Sequence, residues 1–354
     1  MKLKICLILL AVLTLSLNSY LPYESAFVEN IYSQGIFQWV RRVHDFSLGR
    51  LPWPNIYILA LLLFIGLIFY LKHFKRKISR LPFIWKGVKT LVLDSLVFLS
   101  FIMILFYWLW AFNYKRISFE KKNNLPKIEI TEDWLFDEIQ LVHDSLLALR
   151  PFTESDYNHS KVESDIRLSL AKTLPSLGYS VNGNARVREV NPKGILLIWS
   201  TAGVYLPFVS EGHIDKGLHS LTKPFTLAHE MSHGYGIGQE STCNFTAFLG
   251  CINSENKSIQ YSGWLGYFRY LLSAGRRTNQ VRYKRFYEEQ FHNDILIDLD
   301  NIYKELQKYP DILPKLRYFL YDSYLKSHGV TEGMISYSRV IHLAASWKEK
   351  QGEF

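Results

Sequence analysis

The sequence predicts an α+β fold, with three N-terminal transmembrane helices followed by a larger domain of helices and short strands. Three apolar runs, at residues 5–17, 56–71 and 91–112, lie in the first third of the 354-residue chain. Hydrophobic residues make up 48% of the chain and aromatic residues 15%, which is typical of a membrane protein that also carries a folded domain. Beyond residue 113, apolar residues recur at helical spacing in several segments, and short strand-like runs lie between them.

The membrane region is expected to cover residues 1–112. Its helices are expected at about 3–19, 53–71 and 91–112. The first apolar run has the length of a signal peptide, but no cleavage site of small residues follows it, so we expect a retained membrane helix. Residues 23–52 carry apolar and basic side chains in an amphipathic pattern, which indicates a segment lying at the membrane interface; an ordinary loop is the alternative.

The positive charge is concentrated in the membrane region. Residues 1–112 hold twelve Lys and Arg against four Asp and Glu, and therefore carry +8 of the net charge of +9. Seven of these basic residues, with no acid among them, lie in the loop 72–89. The positive-inside rule places this loop in the cytoplasm and residues 113–354 outside the membrane, so the charge indicates topology and no nucleic-acid partner is expected.

The motif that carries chemistry is His229-Glu230-x-x-His233. Residues i and i+4 of a helix lie on one face, so both imidazoles can bind the same ion, and Zn²⁺ is the expected cofactor. Glu230 is placed to act on a metal-bound water as a catalytic base. Pro224 suits the first turn of the helix, and the whole pattern is typical of a zincin-like metallopeptidase domain.

A catalytic zinc site normally has three protein ligands, and the next stretch offers the third. Three glycines within residues 234–238 allow the chain to reverse, and Glu240 follows in the first turn of a second apolar helix. Glu240 is therefore the third expected ligand. Asn244, one turn later, is expected to accept the outer N–H of a ligating histidine.

Strand-like runs precede the metal helix at residues 186–190, 194–199 and 203–208. Glu211 and His213, which follow them, are expected to be polar loop residues, and a metal-binding role is the alternative. The last run begins with Gly203, Val204, Tyr205 and Leu206, and the proline that comes next within it fits an edge strand. An edge strand beside the metal helix pairs with extended substrate in zincins, so these residues form the candidate substrate strand; a plain core hairpin is the alternative.

A late segment often donates a hydrogen bond to the oxyanion in metallopeptidases. Tyr337, in the last such segment, is the candidate for this catalytic role, and simple packing is the alternative. The three cysteines form neither a disulfide framework nor a zinc-finger pattern.

Two resemblances carry these expectations further. The pattern Glu240-x-x-Cys243-Asn244 resembles the Glu-x-x-Ala-Asp element of gluzincin metallopeptidases, although Thr242 and Cys243 depart from the acid and alanine expected there. The whole chain resembles a family of bacterial multi-pass membrane proteins, domain of unknown function 3810. That likeness rests on Tyr32-Ser33-Gln-Gly35, Leu51-Pro52, Gly203-Val-Tyr-Leu-Pro207-Phe208, Glu211, the metal stretch, Tyr324-Leu-Lys and Ser336-Tyr337. It implies a membrane metallopeptidase and supplies no substrate.

The expected function is peptide-bond hydrolysis by a zinc enzyme at the outer face of the bacterial inner membrane. Its expected partners are a peptide or protein substrate and the lipid bilayer. A non-catalytic membrane sensor or scaffold with a structural metal site is one alternative, and a hydrolase of cell-wall peptides is another.

Overall fold

The computed structural model describes residues 2–78, 84–153, 157–327 and 339–352, and this part of the chain is mostly helical with one small sheet. The predicted α+β class therefore holds only in the coarse sense that both kinds of element are present. The chain divides into two compact units. The first comprises Met1–Arg116 and Leu206–Ser210, and the second comprises Ile117–Tyr205 and Glu211–Phe354.

The first unit contains three helices that are long and apolar enough to cross a membrane. Its elements are α1 (Lys2–Tyr20), a π-helix (Val28–Ile36) continued by α2 (Phe37–Phe46), α3 (Asn55–Ile78) and α4 (Ile84–Leu109). Most of the predicted basic loop 72–89 is helical where it is described, because α3 continues to Ile78 and α4 begins at Ile84. Lys and Arg are good helix formers, so a helix that has crossed an apolar layer can continue through a basic stretch.

Helix α1 is joined to α4 by polar contacts along its length. Lys4 forms an ion pair with Asp94, and the Trp108 indole N–H donates to Thr14 Oγ1 at 3.2 Å. The Lys115 ammonium donates to two carbonyl oxygens at the C-terminal end of α1, that of Asn18 in its last turn and that of Leu21 just after it. Helix α1 therefore supplies the cationic partner of Asp94.

The second unit surrounds its sheet with helices. These are α5 (Phe119–Lys122), α6 (Glu132–Leu149), α7 (His159–Ser176), α8 (Lys223–Gly234), α9 (Glu240–Ile252), α10 (Lys257–Thr278), α11 (Gln280–Glu289), α12 (Asn293–Gln307), α13 (Pro314–Ser327) and α14 (Val340–Gln351). Close approaches in the core fix how they pack. A Cβ on Gly250 of α9 would lie 2.5 Å from Leu170 of α7, and one on Gly263 of α10 would lie 2.5 Å from Cys251 Cβ of α9.

The sheet has three strands, β1 (Val187–Val190), β2 (Gly203–Leu206) and β3 (Glu211–Asp215), in the order β1-β3-β2. β1 and β3 are parallel, with Val187 opposite Gly212 and Val190 opposite Asp215. β3 is therefore central, and β2 lies at an edge.

The strand predicted at residues 194–199 is wrong. This stretch is a turn followed by a 3₁₀-helix, Leu197–Trp199. Its conformation is held by Asp215, whose buried carboxylate accepts backbone N–H bonds from Gly194 (2.8 Å), Leu196 (2.8 Å), Leu197 (3.3 Å) and Gly217 (2.6 Å). An apolar run carries no local signal for such a distant acceptor.

The loop assignment of Glu211 and His213 is also wrong, because both lie in β3 and are fully buried. Arg188 of β1 donates its Nε–H to Glu211 Oε1 at 3.1 Å, and His213 Nε2 lies 3.2 Å from Glu211 Oε2. Charged residues in a central strand are uncommon, and the cross-strand Arg188 compensates the charge of Glu211.

We expect Asp215→Ala to destabilise the protein strongly. Four backbone donors would lose their acceptor, and each buried donor left without a partner costs about 1–3 kcal/mol. A loss of about 3 kcal/mol should lower the melting temperature by roughly 6–12 °C in a domain of this size. Thermal unfolding of the detergent-solubilised protein measures this shift. The control Asp137→Ala, at an exposed position on α6, should leave the melting temperature nearly unchanged; equal shifts in both variants would contradict the role of Asp215.

Candidate metal centre

The two histidines of the motif lie on α8. Pro224 occupies the first turn of this helix, as expected of a residue without a backbone N–H. The next free donor, the Phe225 N–H, is satisfied by Ser262 Oγ of α10 at 3.1 Å. The helix therefore begins at a point fixed by a neighbouring helix, and this sets the position of the histidines one and two turns further on.

The helix ends in a tight reversal at Gly236, which has φ of +84°. The Ile237 N–H returns to the carbonyl of Ser232 at 3.2 Å, and the Gly236 N–H to that of His233 at 2.9 Å. A left-handed residue at this position favours glycine because it has no Cβ. Helix α9 begins at Glu240, four residues after Gly236, so the reversal brings the first turn of α9 back to α8.

The side chains of His229, His233 and Glu240 converge. Their ligand atoms all lie within 4.8 Å of one another. Glu240 Oε2 is 3.1 Å from His229 Nε2 and 3.5 Å from His233 Nε2. Two ligands bound tetrahedrally at 2.0–2.2 Å from one zinc ion would lie about 3.4 Å apart, so both distances fit such a site.

The outer nitrogens of both imidazoles are engaged in hydrogen bonds. His229 Nδ1 lies 2.8 Å from Asn244 Oδ1, and His233 Nδ1 lies 2.8 Å from the Ile237 carbonyl oxygen. Because these oxygens accept, each Nδ1 carries the proton and donates it, which leaves the lone pair on Nε2 directed at Glu240. This is the tautomer that a metal requires at both positions.

Charge within the cluster is strongly coupled. Burial alone would raise the pKa of the Glu240 carboxyl, but the facing imidazoles of His233 and His229 lower it below its usual range. Burial likewise opposes the charged form of His233, yet the neighbouring Cys243 and the Glu240 carboxylate raise the pKa of His233 well above its usual value. A metal ion would require ligand atoms that carry no proton, so its affinity should fall in acid.

Glu230 lies beside this cluster and outside it. Its side chain is buried, and Oε2 has no hydrogen-bond partner among the described residues. Burial raises the pKa of Glu230 to about 6. The sheet makes room for this side chain with two glycines. A Cβ on Gly203 would lie 2.7 Å from Glu230 Oε1, and one on Gly212 would lie 2.9 Å from Glu230 Cβ.

The candidate substrate strand is β2, which spans Gly203–Leu206 at the edge of the sheet. Within it, Tyr205 is buried and approaches α8 closely, since a Cβ on Gly234 would lie 3.6 Å from Tyr205 Cε2. The role of β2 in binding substrate stays a prediction. Tyr337, the candidate oxyanion donor, lies outside the described residues.

One comparison with known proteins identifies a family. The family model described as "Protein of unknown function (DUF3810)" matches residues 32–345. The chain belongs to this family. No curated protein and no solved structure matches. The predicted family resemblance is thereby confirmed, while the zincin-like character of the metal stretch stays a prediction that rests on the site's geometry.

Two neighbours of the cluster were not predicted to have a role. Cys243 Sγ lies 3.3 Å from His233 Nδ1 and 3.4 Å from the Ile237 carbonyl, so it packs against the second hydrogen-bond pair. Tyr270 of α10 faces the Asn244 side chain, and burial raises its pKa to about 12. Sequence spacing is the signal that could have indicated Tyr270. This residue lies one helical turn after Gly266, where a Cβ would lie 2.6 Å from the Phe225 ring. Phe225 in turn lies one helical turn before His229.

We expect Glu240→Ala to lower the zinc content of the purified protein about as much as His233→Ala. Each change removes one of three ligands, and the remaining pair cannot hold the ion tightly. Metal analysis after dialysis against a fixed free-zinc buffer measures the occupancy. Gln239→Ala, one residue away and outside the cluster, is the matched control and should bind zinc like the wild type. Wild-type zinc content in Glu240→Ala would exclude Glu240 as a ligand.

Proposed function

We propose that this protein is a membrane-anchored zinc metallopeptidase that hydrolyses peptide bonds at the outer face of the bacterial inner membrane. One observation carries the proposal. A buried carboxylate, Glu230, stands next to three converging ligand atoms of His229, His233 and Glu240 without being one of them. A site that only binds metal has no use for a buried carboxyl oxygen without a partner, because such an atom costs stability.

The donor set suits zinc. Two imidazole nitrogens and one carboxylate oxygen form a frequent ligand set of catalytic zinc, which leaves the fourth position to water or substrate. Zinc bound there would lower the pKa of a water molecule and polarise a scissile carbonyl. Asn244 and the Ile237 carbonyl hold the two imidazoles in the required tautomer and orientation.

Glu230 supplies the proton transfer. It would accept a proton from the attacking water at its free carboxylate oxygen and deliver that proton to the leaving amine. A carboxyl with a pKa of about 6 is ionised at neutral pH and is a stronger base than an exposed glutamate. Because Gly203 and Gly212 have no side chains, the Glu230 side chain can lie against the backbone of the sheet. Its position is therefore set by rigid backbone and not by a flexible side chain.

A catalytic site is favoured over a structural one by the number of ligands and by access. A structural zinc site closes its fourth position with another side chain. Within the part of the chain that the structure describes, the metal-binding group contains three residues. The side chain of His229 is 12% exposed, so the cluster is reached by solvent.

A peptide or protein is the substrate that the surroundings favour. β2 lies at an edge of the three-stranded sheet, and a Cβ on its Gly203 would lie 2.7 Å from Glu230 Oε1. An extended peptide paired with this edge would pass the catalytic base. Tyr337 remains the candidate donor to the oxyanion.

The decisive experiment is Glu230→Gln. The amide keeps the size of the side chain but cannot accept the proton, and loss of a general base typically costs about 10²–10⁴ in rate. We expect about one zinc per chain, as in wild type, and no measurable turnover of a peptide library that includes cell-wall stem peptides.

The control for this experiment is Glu255→Gln, whose side chain is 92% exposed and distant in sequence from the motif. It should cleave like the wild type. Equal cleavage by Glu230→Gln and wild type would contradict the mechanism. A wild-type protein that binds zinc but cleaves no peptide would favour the sensor or scaffold alternative.

The proposed orientation has its own test. Seven basic residues and no acid lie in residues 72–89, and such stretches remain in the cytoplasm. An alkaline phosphatase fused after the C-terminus should therefore be active, since this enzyme needs an extracytoplasmic location. The same reporter fused at residue 80 should be inactive. The reverse pattern would overturn the orientation and the compartment, but not the chemistry of the site.

A further inference from the structure

The segment Val28–Phe46 of the first unit is one continuous helical stretch, the π-helix followed directly by α2. Val28, Tyr32 and Phe37 of this stretch are buried, but most of its large apolar side chains point outward. Six of them, on or just before this stretch, are between 39% and 72% exposed: Phe27, Ile31, Ile36, Trp39, Val43 and Phe46. Most are separated by three or four residues, so they form a single face, which we call the outer apolar face.

The opposite face is polar and buried. Glu29, Ser33, Gln38, Arg41 and His44 are each at most 6% exposed. Arg116 binds Glu29 through two hydrogen bonds of 2.6 and 3.0 Å. Arg41 Nη1 donates to the Ser210 carbonyl at 2.9 Å, within the same unit. The helix thus directs Glu29, Arg41 and His44 into protein and most of its large apolar residues outward, which reverses the usual arrangement of a helix on a water-soluble protein.

An outward apolar face of this size needs an apolar environment. Contiguous exposed apolar surface marks a contact with lipid or protein, and here the neighbouring elements indicate lipid. The segment connects α1 to α3, and both helices are long and apolar enough to cross a membrane. Its connectors, residues 21–27 and 47–54, can reach no more than about 25–30 Å, so it stays close to the ends of those helices.

The segment is also attached to the end of α4. The Tyr32 hydroxyl donates to the carbonyl oxygens of Tyr107 and Trp108, both 3.1 Å away, in the last turn of that helix. Exposed arginines accompany the outer apolar face. Arg50 places its guanidinium carbon 4.3 Å from the Phe46 ring centroid, and Arg42 is exposed next to Val43. Such side chains can reach lipid phosphates while their stems cover apolar surface.

The segment does not itself cross the membrane. A crossing between α1 and α3 would place the basic residues 72–89 on the side opposite Lys2 and Lys4. The positive-inside rule favours both groups on the cytoplasmic side, which requires an even number of crossings between them. Helices α1 and α3 already provide two.

We propose that the helical segment Val28–Phe46 lies sideways in the boundary between headgroups and acyl chains. Its outer apolar face contacts lipid, and its polar face contacts the protein. The partner is the bilayer itself, and the inference does not depend on the metal centre. This element would be a fourth helix embedded in the membrane, one that does not span the bilayer. Its polar face is held by hydrogen bonds of Arg41, Tyr32 and Glu29 to the protein and not by hydration.

A nitroxide at Val43→Cys in a Cys6→Ser background tests this placement, since Cys6 is the exposed native cysteine and Cys243 and Cys251 are buried. The full-length protein is reconstituted in nanodiscs of phosphatidylethanolamine and phosphatidylglycerol. Collision rates with oxygen, which concentrates in hydrocarbon, and with a nickel chelate, which stays in water, are measured by paramagnetic resonance. We expect oxygen collisions to exceed nickel collisions at Val43→Cys. The order should invert at Asp300→Cys, an exposed position on α12.

Two results would overturn the proposal. Higher nickel than oxygen accessibility at Val43→Cys would place the face in water. Low accessibility to both reagents would show that protein covers it, either a second copy or another chain. Phe46→Cys, on the same face and 72% exposed, repeats the measurement should the first variant fail to reconstitute. A membrane-embedded face should give the same order of accessibilities at both positions.

Discussion

The meeting of three ligand atoms, His229 Nε2, His233 Nε2 and Glu240 Oε2, is the constraint on which the second unit depends. A carboxylate and two imidazoles buried this close must share either a proton or a metal ion, because an unpaired buried charge is very costly. The reversal of the chain at Gly236 brings α9 back to α8 at this point. Asn244, one turn into α9, then reaches the outer nitrogen of His229. A single turn of chain therefore supplies a ligand and the group that orients another ligand.

The same cluster explains why two neighbouring carboxylates behave differently. Burial opposes the charged form of both Glu230 and Glu240. The facing imidazoles outweigh burial at Glu240, whose pKa falls below its usual range, but not at Glu230, whose pKa rises to about 6. Glu230 points at the sheet, where Gly203 and Gly212 offer backbone without side chains. Opposite pKa shifts in two neighbouring acids suit the proposed roles of Glu230 as base and Glu240 as ligand.

The sequence predicted most successfully where the information is local. The spacing of His229 and His233, the glycine-rich reversal and the first-turn Glu240 are neighbours in the chain, and the geometry brings all three ligand candidates together. Prediction from the sequence failed where contacts between residues distant in the chain determine the local structure. β3 was hidden because Glu211 and His213 are polar, and the local sequence does not show that Arg188 on another strand pairs with Glu211. The run 194–199 looked like a strand because nothing nearby shows that Asp215 binds its backbone.

The two units meet one physical requirement, that buried polar groups have partners, in contrasting ways. In the first unit, the polar face of Val28–Phe46 is enclosed by protein: Arg116 holds Glu29, and the Ser210 carbonyl accepts from Arg41. Its outer apolar face points outward, as expected of a surface that contacts lipid. In the second unit, Asp215 accepts four backbone donors and Glu211 pairs with arginine, so its buried acids are compensated by structure. Among the described residues of this unit, Glu120 Oε2 and Glu230 Oε2 are buried carboxylate oxygens without a hydrogen-bond partner. Of the two, Glu230 lies in the motif that supplies the converging ligand atoms of His229 and His233, and this position favours a role in a reaction there.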